Sequence, residues 1–382
     1  MKLKLKNTPE QVELVKALGS KDATVAREAQ EAFAAFIGPV IQKVINQAAT
    51  AGAIYTDVNY DEDDNPSYPL DLYYDQSAGH VTVWSQSMAG GLPTSLTEGV
   101  KELKISTYRL DAAVSLLKKY ARRSRLDVVS KALERMSQEI LIKQERNAWA
   151  VLLKALANSS STNSTAANNG HILATNQESK FSVADISRLM THMKRISASF
   201  ANGTADPSDS FGLTDLYVSP EVLEQIRGFA YNPLNTVNDT VGVMGLPDGV
   251  REGVWRGAGM SEIYGVAIHD LVELGRNKKY NTLFSSFAQN GIAHDSGTKV
   301  GLQSTNFNDA AADATGDEIL VGVDASKEAF IRPVAQNADN GATFTALPDD
   351  QFTQRADKVG FYGAMEEGRV CIDARAVAGL VM

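Results

Sequence analysis

The run Asp57-Val58-Asn59-Tyr60-Asp61-Glu62-Asp63 opens with oxygen-bearing side chains at alternate positions, the spacing with which a calcium loop gathers carboxylates around a cation. It departs from such a loop at two places: Glu62 stands where a glycine must make the sharp turn, and Tyr68 where a bidentate Glu belongs. A solvated or interfacial acidic loop is the reading these residues favour. Gly257-Ala258-Gly259 begins like a dinucleotide loop, but Glu262 occupies the third glycine position, where its charge would oppose a phosphate. No Gly is followed by Lys, so no phosphate-cradling Walker loop exists, and no Gly-x-Ser-x-Gly elbow presents a nucleophilic serine. Zinc sites lack their ligands: there is one Cys, and the five His form no His-Glu dipeptide. His269-Asp270 and His294-Asp295 are the remaining chemistry, and their alternative reading is a soluble α+β metal-dependent hydrolase. No catalytic, cofactor or metal site is expected, and the chain is not expected to be an enzyme.

Charge is distributed with a sharper pattern than chemistry. Between Lys43 and Lys101 there is no Lys or Arg, while Asp57, Asp61, Glu62, Asp63, Asp64, Asp71, Asp75 and Glu98 fall within that span. The sign then reverses at Lys118, Lys119, Arg122, Arg123 and Arg125. Two such surfaces suit a meeting between copies of the chain. The net charge of -9 argues against tight non-specific duplex binding, which depends on cations displacing counterions from phosphates.

At 382 residues, with 43% hydrophobic and 22% charged residues, the chain is of ordinary globular composition and can bury a sizeable core. Its single Cys371 rules out an internal disulfide, and neither a secretory leader nor a membrane span is legible, so cytoplasmic synthesis without a removed propeptide is expected. Apolar residues at helical spacing run from Thr8 to about Ala49. From Ile54 the pattern becomes strand-like, with Tyr68 to Tyr74, a Gln76 to Gly79 turn and His80 to Trp84 reading as an extended hairpin that returns over Lys101 to Leu110. Val129, Leu133, Met136 and Ile140 then mark a long helix, capped by Ser124 or Asp127. A second amphipathic helix carries Val183, Ile186, Leu189, Met190, Met193 and Ile196, and a third is capped at Ser219 with Pro220 in its first turn. Strands are expected near Gly253 to Trp255, Glu262 to Ile268, Glu318 to Val323, Ala329 to Val334, Lys358 to Met365, Arg369 to Ile372 and Ala376 to Val381.

In this order the parts resemble the major capsid protein of tailed bacteriophages, the Hong Kong 97-type or Johnson fold. The telling stretches are Leu126 to Ala157, Leu216-Tyr217-Val218-Ser219-Pro220-Glu221-Val222-Leu223, and the tail from Asp357-Lys358-Val359-Gly360-Phe361-Tyr362-Gly363 through Val370 to Val377. The resemblance implies an α+β chain with an N-terminal helical arm over 1–53 and an extended β-hairpin arm, the E-loop, over 54–104. It implies a peripheral domain over 105–180 and 327–372 with a spine helix at about 126–157, and an axial domain over 181–326 and 373–382. The Tyr231 to Gly249 loop is the expected axial loop near capsomer centres. The resemblance also implies self-assembly into hexamers and pentamers of an icosahedral shell around double-stranded DNA, bound without sequence specificity. That shell would be the capsid of a virion assembled in the host cytoplasm, with no membrane and with separate scaffolding, portal and cement proteins compatible. An encapsulin-type compartment shares the fold. Some family members cross-link an E-loop Lys to a neighbour's Asn, which this lysine-free arm excludes for itself. The expected contacts between copies run from Asp57, Asp61, Asp63, Asp64, Tyr68, Leu70, Leu72, Tyr73 and Trp84 of one arm to Lys118, Lys119, Arg122, Arg123 and Arg125 of the next copy. Charge is expected to set register and the apolar residues to supply most of the affinity.

Overall fold

The computed structural model describes residues 8–47, 50–62, 64–69, 102–123, 126–161, 171–175, 180–200, 212–231, 252–253, 256–257, 262–287, 318–326, 328–337, 341–349 and 358–382. Helices α1 (Pro9–Leu18) and α2 (Ala23–Gln47) come first, then strands β1 (Thr56–Asp61) and β2 (Ser67–Pro69). Beyond residue 101 follow β3 (Glu102–Lys104), β4 (Thr107–Leu117), α3 (Lys118–Arg122) and the long helix α4 (Leu126–Ser161). Next are β5 (Ile172–Ala174), α5 (Val183–Phe200), β6 (Asp215–Val218), α6 (Pro220–Tyr231), β7 (Glu262–Ile263), β8 (Val266–Asp270) and α7 (Lys279–Phe287). The chain closes with β9 (Ile319–Val323), β10 (Phe330–Gln336), β11 (Thr345–Asp349), β12 (Lys358–Gly368), β13 (Val370–Cys371) and β14 (Val377–Val381).

Local signals set these boundaries. Asp22 caps α2 by accepting from the Thr24 amide at 3.1 Å and its hydroxyl at 2.6 Å. At the start of α5, Ser182 and Asp185 form a capping box in which the carboxylate reaches back to the Ser182 amide at 3.0 Å. Ser219 Oγ accepts from the Val222 amide at 3.2 Å, and Pro220 sits where its missing N–H costs nothing. Of the strand expected at Gly253 to Trp255 only Gly253 is described, and it is not in a strand. Glu252 and Gly253 are helical, and the Gly257 amide donates to the Gly253 carbonyl at 2.8 Å, a bond of helical span that the Glu252–Arg256 ion pair accompanies.

The chain divides into two compact units. The first comprises Met1–Tyr68, Leu103–Ala148 and Phe330–Val370; the second comprises Pro69–Glu102, Trp149–Ala329 and Cys371–Met382. The division falls inside the 36-residue α4, a rod of about 54 Å at 1.5 Å per residue.

In the first unit β12 is the hub of the sheet. All eleven of its residues pair antiparallel with β4; on its other edge it pairs with β11 and, at Glu367, with β10, which in turn pairs parallel with β1. One face packs on Val129, Leu133, Met136 and Ile140 of α4 and on Val15, Leu18 and Phe33 of α1 and α2, with Val359, Phe361 and Met365 of β12 between them. The N-terminal helices are therefore part of this unit's core, which corrects the reading of 1–53 as an arm. A second correction concerns β1: the hairpin arm expected from Ile54 cannot include Thr56–Asp61, because those residues are paired with Ile331–Gln336 inside the sheet. The chain instead leaves the sheet later and returns alongside itself, since β2 pairs with β3 on either side of residues 70–101. The returning strand is also longer than expected, running as β4 to Leu117.

A buried carboxylate ties these strands together. Glu367 is fully covered and accepts from Tyr108 Oη of β4 at 2.6 Å, Arg332 Nε of β10 at 2.7 Å and Gln144 Nε2 of α4 at 3.1 Å. Arg369 approaches the same carboxylate at 3.5 Å and stacks its guanidinium over the Tyr55 ring, 4.7 Å from the centroid.

In the second unit the strand order is β5-β14-β9-β6-β8-β7. Its central strands β9 and β14 are buried at every position, as expected for strands covered on both faces. Ile186, Leu189 and Met193 of α5 and Val222 and Ile226 of α6 pack on Leu216, Val218, Val266, Leu320 and Leu380. Trp149 meets Tyr217 edge-on at 5.0 Å and stacks on Tyr280 at 5.6 Å.

Replacing Glu367 by Leu would leave the Arg332 and Arg369 cations buried beside an apolar side chain. We expect a loss of about 3–5 kcal/mol in urea unfolding of the full chain, since removing one partner of a buried ion pair strands the other. A loss under about 1 kcal/mol would show that the carboxylate does not organise the sheet.

Candidate assembly surfaces

Of the residues expected to touch a second copy, Asp63, Leu70, Leu72, Tyr73, Trp84 and Arg125 lie outside the described residues, and Tyr68 is placed only as a residue of β2. Asp57 is exposed but has a partner within its own chain. Its carboxylate accepts from Arg332 NH1 at 3.3 and 3.4 Å across the parallel pair of β1 and β10. The acidic run that resembled a calcium loop is thus extended strand as far as Asp61, in which the alternate residues Asp57, Asn59 and Asp61 share a face but stand about 6.6 Å apart along the chain instead of curling around one ion. Asp61 is exposed at the strand end, where its carbonyl accepts from the Asp64 amide at 2.9 Å. Asp64 uses its own carboxylate on the Asn65 amide at 2.9 Å.

The basic residues divide in the same way. Arg122 Nε donates to the Gly19 carbonyl at 2.7 Å, in the turn after α1, while the residue remains exposed. Gly19 is required there, because a Cβ would stand 2.7 Å from the Arg122 amide nitrogen. Lys119 and Arg123 are exposed, with the Lys119 ammonium 5.1 Å from the Tyr120 ring centroid, and Lys118 is half-buried. The structure adds two cations that the sequence run did not include. Lys131 and Arg135, exposed on α4, flank an open groove floored by Leu116, Val128 and Ala132. Helical spacing of four residues was the available signal for that pair.

Strand β4 presents its other face outward. Arg109 donates to Asp111 at 2.9 Å and to Tyr362 Oη at 3.2 Å, and Tyr362 donates in turn to Asp111. Leu117 and Leu347 are exposed apolar side chains of β4 and β11.

In the second unit His269, the histidine of the alternative hydrolase reading that is described, pairs with a neighbouring strand. His269 Nε2 lies 2.7 Å from Asp215 Oδ1 across β6 and β8, and its ring stacks on Tyr217 at 4.9 Å. His294 and Asp295 lie outside the described residues. Among the described residues no three His, Cys, Asp or Glu side chains come together as a metal site, and no helix is long and apolar enough to cross a membrane. Burial and the neighbouring Asp373 push the Cys371 thiol up to about 12, so it carries no thiolate at neutral pH. Glu318 precedes β9, almost wholly buried, with one carboxylate oxygen lacking a partner. Burial pushes its carboxyl up to about 7; Glu221 adds to the rise, while Ser219 and Arg276 oppose it.

No family model matches the chain, and no curated protein does. Solved structures similar to it are capsid proteins. The capsid of cyanophage P-SCSP1u is 11% identical over 87% of this chain and 88% of that one, with a TM-score of 0.46. The capsid of an empty GTA particle is 12% identical over 87% of this chain and 90% of that one, at 0.46. The SrpI encapsulin of Synechococcus elongatus is 12% identical over 73% of this chain and 74% of that one, at 0.37. No residue's role is transferred at such likeness.

The Glu318 carboxyl makes stability pH-dependent with a defined sign. A carboxyl raised in the fold from its ordinary value near 4.3 stabilises fully below that value, and the contribution is lost as pH rises through about 7. The urea midpoint should therefore fall between about pH 4.5 and pH 7 and level off above that, and Glu318→Gln should remove most of that fall. An equal fall in the variant would assign it to other groups.

Proposed function

We propose that this chain is the structural protein of a phage capsid, self-assembling into hexamers and pentamers of an icosahedral shell that encloses double-stranded DNA. The observation that carries the reading is the order of parts: a sheet unit with its own helical layer, a 36-residue helix shared by both units, an α/β unit, and a return through β10, β11 and β12 to the first unit. This is the order in which the family resemblance arranges peripheral domain, spine helix and axial domain. The pairing of β2 with β3 supports an arm over residues 70–101, since it holds both ends of that span side by side. The acidic balance is compatible with a container, because a wall that gripped phosphates would hinder packing and release.

In this reading the arm of one copy lies on the next, and Asp61 and Asp64 face Lys119 and Arg123 across the contact. Exposed pairs of this kind contribute about 0–1 kcal/mol each, so they set register and encounter rate more than affinity. Scaffolding, portal and cement proteins would be separate chains.

Electron microscopy and size exclusion of the purified protein test the reading. Closed shells, with DNA when purified from virions, support it; shells filled with protein cargo would favour a compartment, and small oligomers at every concentration would refute a shell. After boiling in detergent the shells should run as one band at the monomer mass of 41.1 kDa, because the arm has no lysine to cross-link. A ladder of multiples would contradict this. Lys119→Glu with Arg123→Glu should slow assembly at low salt and leave it nearly unchanged near 1 M salt, where charges are screened. Light scattering that shows wild-type rates at low salt would remove the charged contact.

A further inference from the structure

Strands β7 and β8 are joined by two residues, Tyr264 and Gly265, with Ile263 paired to Val266 across the turn. Both turn residues have positive φ, 55° at Tyr264 and 79° at Gly265. This is the backbone of the tight hairpin turn that favours Asn-Gly, because the left-handed region crowds a Cβ against the carbonyl oxygen. Asn and Asp soften that cost with a short polar side chain; a tyrosine does not. Elsewhere in the same unit the chain follows the preference, placing Asn277 at φ 56°.

Tyr264 is nonetheless not used in the core. Its relative exposure is 62%, among the largest of any apolar side chain described, while Ile263 and Val266 on either side are 1% and 0% exposed. The buried flanks clamp the turn, so the aromatic ring stands on a short tip at the end of the sheet, where among the described residues β7 pairs only with β8. A side chain that strains the backbone and stays mostly exposed in its own unit can recover free energy from a contact outside it.

We propose that Tyr264 is an aromatic anchor for a second copy of this chain, a contact made by the second unit and separate from the arm. The choice of a second copy rests on the self-assembly reading above. Tyrosine suits the role: it buries a large area at the cost of two side-chain torsions, keeps a hydroxyl for a polar rim, and is enriched among the few residues that dominate interfaces. The clamped turn lowers the ordering cost of docking.

The test uses the full-length chain with Tyr264→Asn and Tyr264→Phe. Tyr264→Asn should raise the urea midpoint, by relieving the left-handed tyrosine, and raise the concentration needed for assembly by about tenfold or more. Tyr264→Phe keeps the ring and should assemble within a few-fold of wild type. The inference is overturned if Tyr264→Asn assembles at the wild-type concentration, or if its midpoint falls, which would make the tyrosine a folding residue. Wild-type protein that forms no assembly at any concentration would refute the shell reading itself, and with it the second copy. Wild-type shells beside unaffected Tyr264→Asn shells would refute the anchor alone.

Discussion

The first unit depends on the desolvation of one carboxylate. Glu367 has no solvent contact, and an isolated charge in that position would cost several kcal/mol. The cost is offset only when Tyr108, Arg332 and Gln144 all arrive, and they come from β4, β10 and α4. Each donor is of little use unless its element is in register. Arg332 reaches on to Asp57, so the parallel strand β1 is held by the same network. The apolar cluster supplies the bulk of the driving force, but it does not care which strand lies beside which; the carboxylate does.

That division of labour explains what could be read in advance. The stripe Val129, Leu133, Met136 and Ile140 is a local pattern, and all four are buried where the helical period puts them. Ser219 and Pro220 announce a helix start within three residues of it. The buried runs of β9 and β14 are likewise local. What could not be read was pairing between distant segments. Nothing near Thr56–Asp61 says that these residues lie beside Phe330–Gln336, because alternation marks a strand without naming its neighbour. Asp57 is a surface charge that also pairs with Arg332, a partner no local pattern names. The acceptor of Arg122 Nε, the Gly19 carbonyl far earlier in the chain, was equally unannounced.

Asp57 and Arg122 each have a partner within the chain yet remain exposed, so the described candidates on exposed sites are Asp57, Asp61, Asp64, Lys119, Arg122 and Arg123, with Lys118 half-buried. A handful of exposed pairs at about 0–1 kcal/mol each, weakened by salt, cannot hold copies together. An aromatic side chain that buries about 150–250 Å² brings about 4–6 kcal/mol of gross transfer free energy at about 25 cal/mol per Å². One such ring outweighs several exposed ion pairs, even after the entropy of docking is subtracted. In the proposed shell the charge reversal along the chain would then serve orientation, with adhesion left to rings such as Tyr264, which the fold holds out at positive φ.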